Sequence, residues 1–227
     1  MKRFYSAVLA TLAALAVVSP PAHAAYCVPQ LAFNCTNLQN RLVAFGETTI
    51  NPLTQQQEGL VWGSSVSTNS LMTIQFEVAG NPHGNEFGIA TLNAAGNAVT
   101  GVDPIFPAVN LGTGWFAVAS FRPGNVLKVT MFDPTATPVG PSVIYSNVNR
   151  QLFAYYIKNT NGTFFSHAGF NLDGKPHAVV YAGTGQNAGC WWLSWEDTMD
   201  PAPTADSDDG LPFLESLNPT PVSRATW

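Results

Sequence analysis

Between residues 196 and 215 the chain carries Glu196, Asp197, Asp200, Asp206, Asp208, Asp209 and Glu215, half of its fourteen acidic residues, with no Lys or Arg among them. Packing gives no reason for such crowding, because like charges repel unless water or a bound cation screens them. Calcium suits this donor set. It takes roughly six to eight hard oxygens from carboxylates, carbonyls and water, often supplied by a flexible acidic loop. Glu196 and Asp197 follow directly on WWLSW at 191–195, which would hold them in place, and the next loop is long enough to return Asp206, Asp208 and Asp209 to the same spot. The expectation is a calcium centre made by Glu196, Asp197, Asp206, Asp208 and Asp209. The competing reading is a set of solvent-facing acids in a tail.

Three other features invite chemistry. Asn171-Leu172-Asp173-Gly174 could lend Asp173 and a carbonyl to a cation, but it reads more simply as an Asx turn with Gly at a left-handed position. His177 could be a ligand or a catalytic base; beside a strand, a structural hydrogen bond to the Asx loop is the simpler role. Trp192 should face away from Trp191 and Trp195, so it could stack on a sugar ring or be covered by another part of the chain. Enzyme motifs are missing: no Gly-x-Ser-x-Gly elbow, no His-Glu-x-x-His and no Gly-rich loop entering a helix. Glu196 and Asp197 are adjacent and would face opposite ways on an extended strand, unlike a converging glycosidase pair. A carbohydrate-binding module or carbohydrate-active enzyme is the alternative to a non-enzymatic module.

The elements that must position these residues are short strands. LMTIQFEV at 71–78 alternates strictly, the pattern of a sheet with one wet face. Further strands are expected at 41–50, 60–62, 87–92, 115–121, 126–132, 152–158, 163–165, 178–181 and 191–195, with Gly, Asn and Pro turns between them. Within 126–132, Leu127, Val129 and Met131 make the inner face. Proline-bearing 134–141 reads as a loop inside one domain. Many short strands without a long amphipathic helix indicate an all-β, antiparallel β-sandwich of jelly-roll type.

The segment from Phe164 onward has a recognisable order. Phe164, Phe165 and Ser166 are followed by Asn171, Asp173 and Gly174, then by His177, Ala178, Val180 and Tyr181, then by WWLSWED at 191–197. This resembles the bacterial domain-of-unknown-function family number 4114, in which an aromatic strand, an Asn-x-Asp-Gly turn, a histidine and a hydrophobic strand ending in an acidic pair come in that order. The family then carries an Asp-Phe-Asn-Asp signature. Here SDDGLPFLE at 207–215 offers Asp208 and Asp209 for its acids without that string. The resemblance spans about fifty residues. It implies an exported β module of surface-associated proteins with a calcium site, and no known reaction.

Export is also what the N-terminus suggests. Lys2 and Arg3, an apolar run at 7–18, prolines, and Ala22-His23-Ala24 make a secretory leader over residues 1–24. The remaining chain has seven basic residues against fourteen acids, a net charge near −7, which disfavours nucleic acid and anionic lipid as partners. No later stretch is long and apolar enough for membrane insertion. Expected partners are extracellular polysaccharide, other surface proteins or further copies of the chain. The expected location is extracellular or at the cell surface, with the periplasm as the alternative. Cys27 and Cys35 could form a disulfide tethering an arm at 25–39, or one of them could pair with Cys190. The sandwich would occupy 40–200 and an acidic, proline-bearing tail 201–227.

Overall fold

Successive side chains of each strand take opposite faces, and the strands assemble into two sheets. The computed structural model describes residues 32–58, 61–64, 71–76, 85–107, 115–197, 210–215 and 217–220. The leader, Cys27, the turn at 80–82, Asp200, Asp206, Asp208 and Asp209 lie outside these described residues.

The strands are β1 (Gln57–Glu58), β2 (Val61–Ser64), β3 (Leu71–Phe76), β4 (Glu86–Leu92), β5 (Val99–Phe106), β6 (Trp115–Arg122) and β7 (Val126–Phe132). They continue with β8 (Val143–Tyr145), β9 (Phe153–Asn159), β10 (Gly162–Phe165), β11 (Ala178–Ala182), β12 (Trp191–Trp195), β13 (Phe213–Leu214) and β14 (Leu217–Thr220). One sheet has eight strands in the order β1-β11-β12-β13-β3-β6-β7-β8. The other has the order β14-β2-β9-β4-β5, with β10 also paired to β9. The described pairings are antiparallel. The chain is therefore an all-β, antiparallel, multi-sheet protein, with one α-helix among the described residues.

One buried cluster joins the sheets. Trp62, Phe87, Ile89, Phe106, Phe153, Tyr155 and Ile157 come from the smaller sheet, and Ala117, Ala119, Phe121, Leu127, Val129, Val180, Leu193 and Trp195 from the larger. Trp191, Leu193 and Trp195 face this cluster, as do Leu127, Val129 and Met131, in keeping with their alternation. The loop at 134–141 links β7 to its partner β8 within one sheet. At the open side, the hydroxyl of Tyr145 on β8 donates to the carbonyl of Pro104 on β5 at 2.6 Å, tying the edge of one sheet to the edge of the other.

Two expectations at the N-terminal end are corrected. Residues 41–50 do not form a strand. Helix α1 (Ala32–Ala44) ends there and a turn follows. Its close is a Schellman motif: the Gly46 N–H donates to Val43 O at 3.0 Å and the Glu47 N–H to Leu42 O at 2.9 Å, with Gly46 at φ +89°. Leu38 and Leu42, one turn apart, are buried with Ile50 against Val179, Tyr181, Trp192, Leu211 and Phe213 on the outer face of the larger sheet. This packing secures the segment. No disulfide forms among the described residues, where Cys190 is a free thiol. Burial first, then the charges of Glu215 and Glu47, pushes that thiol up from its ordinary value.

Candidate functional site

The expected acidic pair sits where four strand ends meet. Antiparallel pairing puts the start of β4 beside the end of β9, and the start of β11 beside the end of β12. Asn85, Asn159, His177, Glu196 and Asp197 therefore converge from both sheets on one end of the shared core. Glu196 and Asp197 are only 2% and 0% exposed, so neither is a solvent-facing surface acid.

Asp197 links the sheets. Its Oδ2 accepts from Asn85 Nδ2 at 2.9 Å, and its backbone carbonyl accepts from Asn159 Nδ2 at 3.0 Å. Because a carboxylate only accepts, the first of these bonds fixes the Asn85 amide with its NH2 toward Asp197. Asn85 Oδ1 is then left buried without a hydrogen-bond partner, and the whole residue is 2% exposed. An orphaned buried acceptor is costly, by about 1–3 kcal/mol, and is uncommon in native interiors.

Glu196 is held through its backbone. Its N–H donates to the carbonyl of His177 at 2.9 Å, and its own carbonyl lies 3.2 Å from His177 Nδ1. The other ring nitrogen, Nε2, is 3.1 Å from Asp173 Oδ2, and the ring stacks on Phe164 with centroids 4.3 Å apart. Both nitrogens of this buried ring are thus committed to the protein, which makes His177 a brace between the Asx loop and β12. Asp173 belongs to that loop. Burial pushes its carboxyl up, but the hydrogen bonds from the Lys175 N–H at 3.0 Å and from His177 outweigh it and hold the group below its ordinary value. Asn171 closes the same loop, accepting from the Phe165 N–H at 2.7 Å and donating to the carbonyls of Phe165 and Lys175 at 3.1 and 2.8 Å.

The chain leaves this end at Asp197 and is back beside Trp195 at Gly210, where the Trp195 N–H donates to Gly210 O at 2.9 Å. Among the described residues no three His, Cys, Asp or Glu side chains converge as a ready metal cage. The other three expected ligands, Asp206, Asp208 and Asp209, lie outside the described residues.

Of the two readings of Trp192, a sugar-stacking platform or a ring covered by another part of the chain, the structure has the second. Trp192 does face away from Trp191 and Trp195, but it is 4% exposed, packed between Phe45 and Phe213 at centroid distances of 5.2 and 4.5 Å. Its indole N–H donates to Glu47 Oε1 at 2.8 Å. Neither Asn85, Asn159 nor Glu47 was singled out by sequence reasoning. Asn85 and Asn159 flank strands as ordinary turn residues do, and Glu47 lies in a segment that reads as a strand.

Comparison with family models, with curated proteins and with solved structures finds no match for this chain. No helix among the described residues is long and apolar enough to cross a membrane.

Proposed function

We propose that this is an exported, non-enzymatic surface or matrix module, a jelly-roll-like β-sandwich in which calcium fastens the acidic segment after β12 to the body. The observation that carries the reading is Asn85 Oδ1, a hard oxygen buried without a hydrogen-bond partner in a residue bonded to Asp197. A buried amide oxygen beside a buried carboxylate is a poor arrangement for an empty interior and a suitable one for calcium, which draws on both oxygen types. Glu196 and the acids at 206, 208 and 209 are the further ligands in this proposal. Asn85 and Asn159 hold Asp197, and His177 holds the Glu196 backbone, so the first ligands are preset and the loop closes on the ion. The ion would offset the repulsion among the acids and pin the returning segment at Gly210.

The test is calorimetric titration of chelator-stripped protein, with thermal melts with and without calcium. A site present only in the folded state stabilises it by about 2.7 kcal/mol when free calcium is about a hundred times the dissociation constant. Millimolar affinity is enough outside the cell. Binding heat and a calcium-dependent rise in Tm are expected, both weakened by Asp197→Ala and by Asn85→Ala. No heat up to several millimolar and no change in Tm would sink the proposal. Binding untouched by either substitution would place the ion elsewhere.

A further inference from the structure

A second buried carboxylate, on the outer face of the larger sheet, is bound as a ligand would be. Glu47 is fully buried, and four donors converge on it. Its Oε1 accepts from Trp192 Nε1 and Asn187 Nδ2, both at 2.8 Å. Its Oε2 accepts from the Thr184 N–H at 2.9 Å and from Thr184 Oγ1 at 2.5 Å. All four donors are neutral, and all come from one stretch of chain, the β11–β12 connection and the start of β12. Glu47 comes from elsewhere, more than 130 residues earlier, delivered by the Schellman turn that ends α1. Host and guest are thus separate parts of the chain.

The host also has an approach. A cleft of about 420 Å³ opens beside it, lined by Ile50, Gln55, Gln57, Tyr181, Gly183 and Thr184, so Thr184 belongs both to the donor set and to the cleft wall. Beyond the carboxylate, the N-terminal segment is held on this face by the apolar packing of Leu38, Leu42, Phe45 and Ile50 and by two longer hydrogen bonds, from Thr49 Oγ1 to Thr184 Oγ1 and from the Tyr181 hydroxyl to Pro52 O, both at 3.2 Å. A desolvated carboxylate met by four fitted donors is specific in a way that apolar packing is not, because removing the carboxylate leaves those donors without their acceptor.

We propose that Thr184, Asn187 and Trp192 form a carboxylate receptor, that Glu47 is its resident ligand and makes α1 a latched cap, and that the receptor accepts a free carboxylate when Glu47 leaves. No residue of the calcium proposal takes part, so the two stand or fall separately.

Glu47→Ala in the full chain removes four atoms that acetate can replace. Thermal melts in sodium acetate and in sodium chloride at matched ionic strength are the test. Acetate should raise the Tm of Glu47→Ala saturably above its value in chloride, while the unsubstituted protein responds to the two salts alike. The difference should vanish in Glu47→Ala/Asn187→Leu. Equal response of Glu47→Ala to acetate and chloride overturns the proposal. Should that variant not fold unaided, refolding from urea in each salt gives the same reading: preferential recovery in acetate supports the receptor, and equal recovery overturns it.

Discussion

Exchanging Glu47 for Gln keeps the shape of the side chain and removes one acceptor and the charge. The remaining oxygen can serve only one of the two donor pairs. The Asn187 amide and the Trp192 indole donate and cannot reverse, so the oxygen stays with them and the new NH2 turns to Thr184. The Thr184 hydroxyl can rotate to accept, but its backbone N–H, part-buried, loses its acceptor. One orphaned donor costs about 1–3 kcal/mol, and weakening two charge-assisted bonds to neutral ones adds about 1 kcal/mol. The expected loss is about 2–4 kcal/mol at pH 7, read as a lower urea midpoint at unchanged slope. Acid supplies a second readout. Burial raises the Glu47 carboxyl, but the hydrogen bonds from Thr184, Trp192 and Asn187 outweigh it, so the folded value lies below the ordinary glutamate value. A depressed carboxylate contributes stability that is present above the ordinary value and lost as pH falls through the folded one. The gap between wild type and Glu47→Gln should therefore be widest near neutrality and narrow on acidification. A variant within about 0.5 kcal/mol of wild type at pH 7, or a gap that holds constant into acid, would refute this account of the latch.

Gly88 on β4 has no room for a side chain: a Cβ there would stand 2.3 Å from Asp103 O and 2.7 Å from Tyr156 Cε1. Gly88→Ala should lose at least about 1–3 kcal/mol in chemical denaturation, since the nearer obstacle is backbone of the paired strand β5. Asn171→Ala removes three hydrogen bonds that close the Asx loop, two to Phe165 and one to Lys175. It should cost about 2–3 kcal/mol and open residues 171–176 to limited proteolysis, with protection equal to wild type counting against it.

The strands that carry core side chains were legible because successive side chains take opposite faces, which sets the residues of the shared core at every second position. LKVTM in β7 and WWLSW in β12 fall where alternation puts them, and their inward residues are the ones in the shared core. β5 was not legible. Gly101 and Pro104 argue against a strand, and Pro104 is tolerated because β5 is the outermost strand beyond β4. β13 and β14 are two and four residues long, too short for any periodicity. Helix α1 was missed because its sequence, AFNCTNLQNRLVA, is rich in weak helix formers; Leu38 and Leu42 packing on the sheet sustains it instead. In the candidate site, Glu196 and Asp197 stood out through charge, and Asp173 through its turn pattern. Asn85 and Asn159 did not, because an asparagine becomes a site residue only through what the fold sets opposite it.

β13 has an implication for the order of assembly. Two residues, Phe213 and Leu214, are the seam between β12 on one side and β3 on the other. A chain growing from its N-terminus can add β9 to the β4–β5 pair through β4 once residue 159 is made, and can form the β3-β6-β7-β8 half of the larger sheet. The β1-β11-β12 half has no strand of the β3-β6-β7-β8 half to pair with until Leu214 has followed, some 140 residues after the strand it must meet. Contacts so distant in sequence close slowly. The larger sheet therefore stays open between β12 and β3 until Phe213 and Leu214 have been made and sew the two halves together.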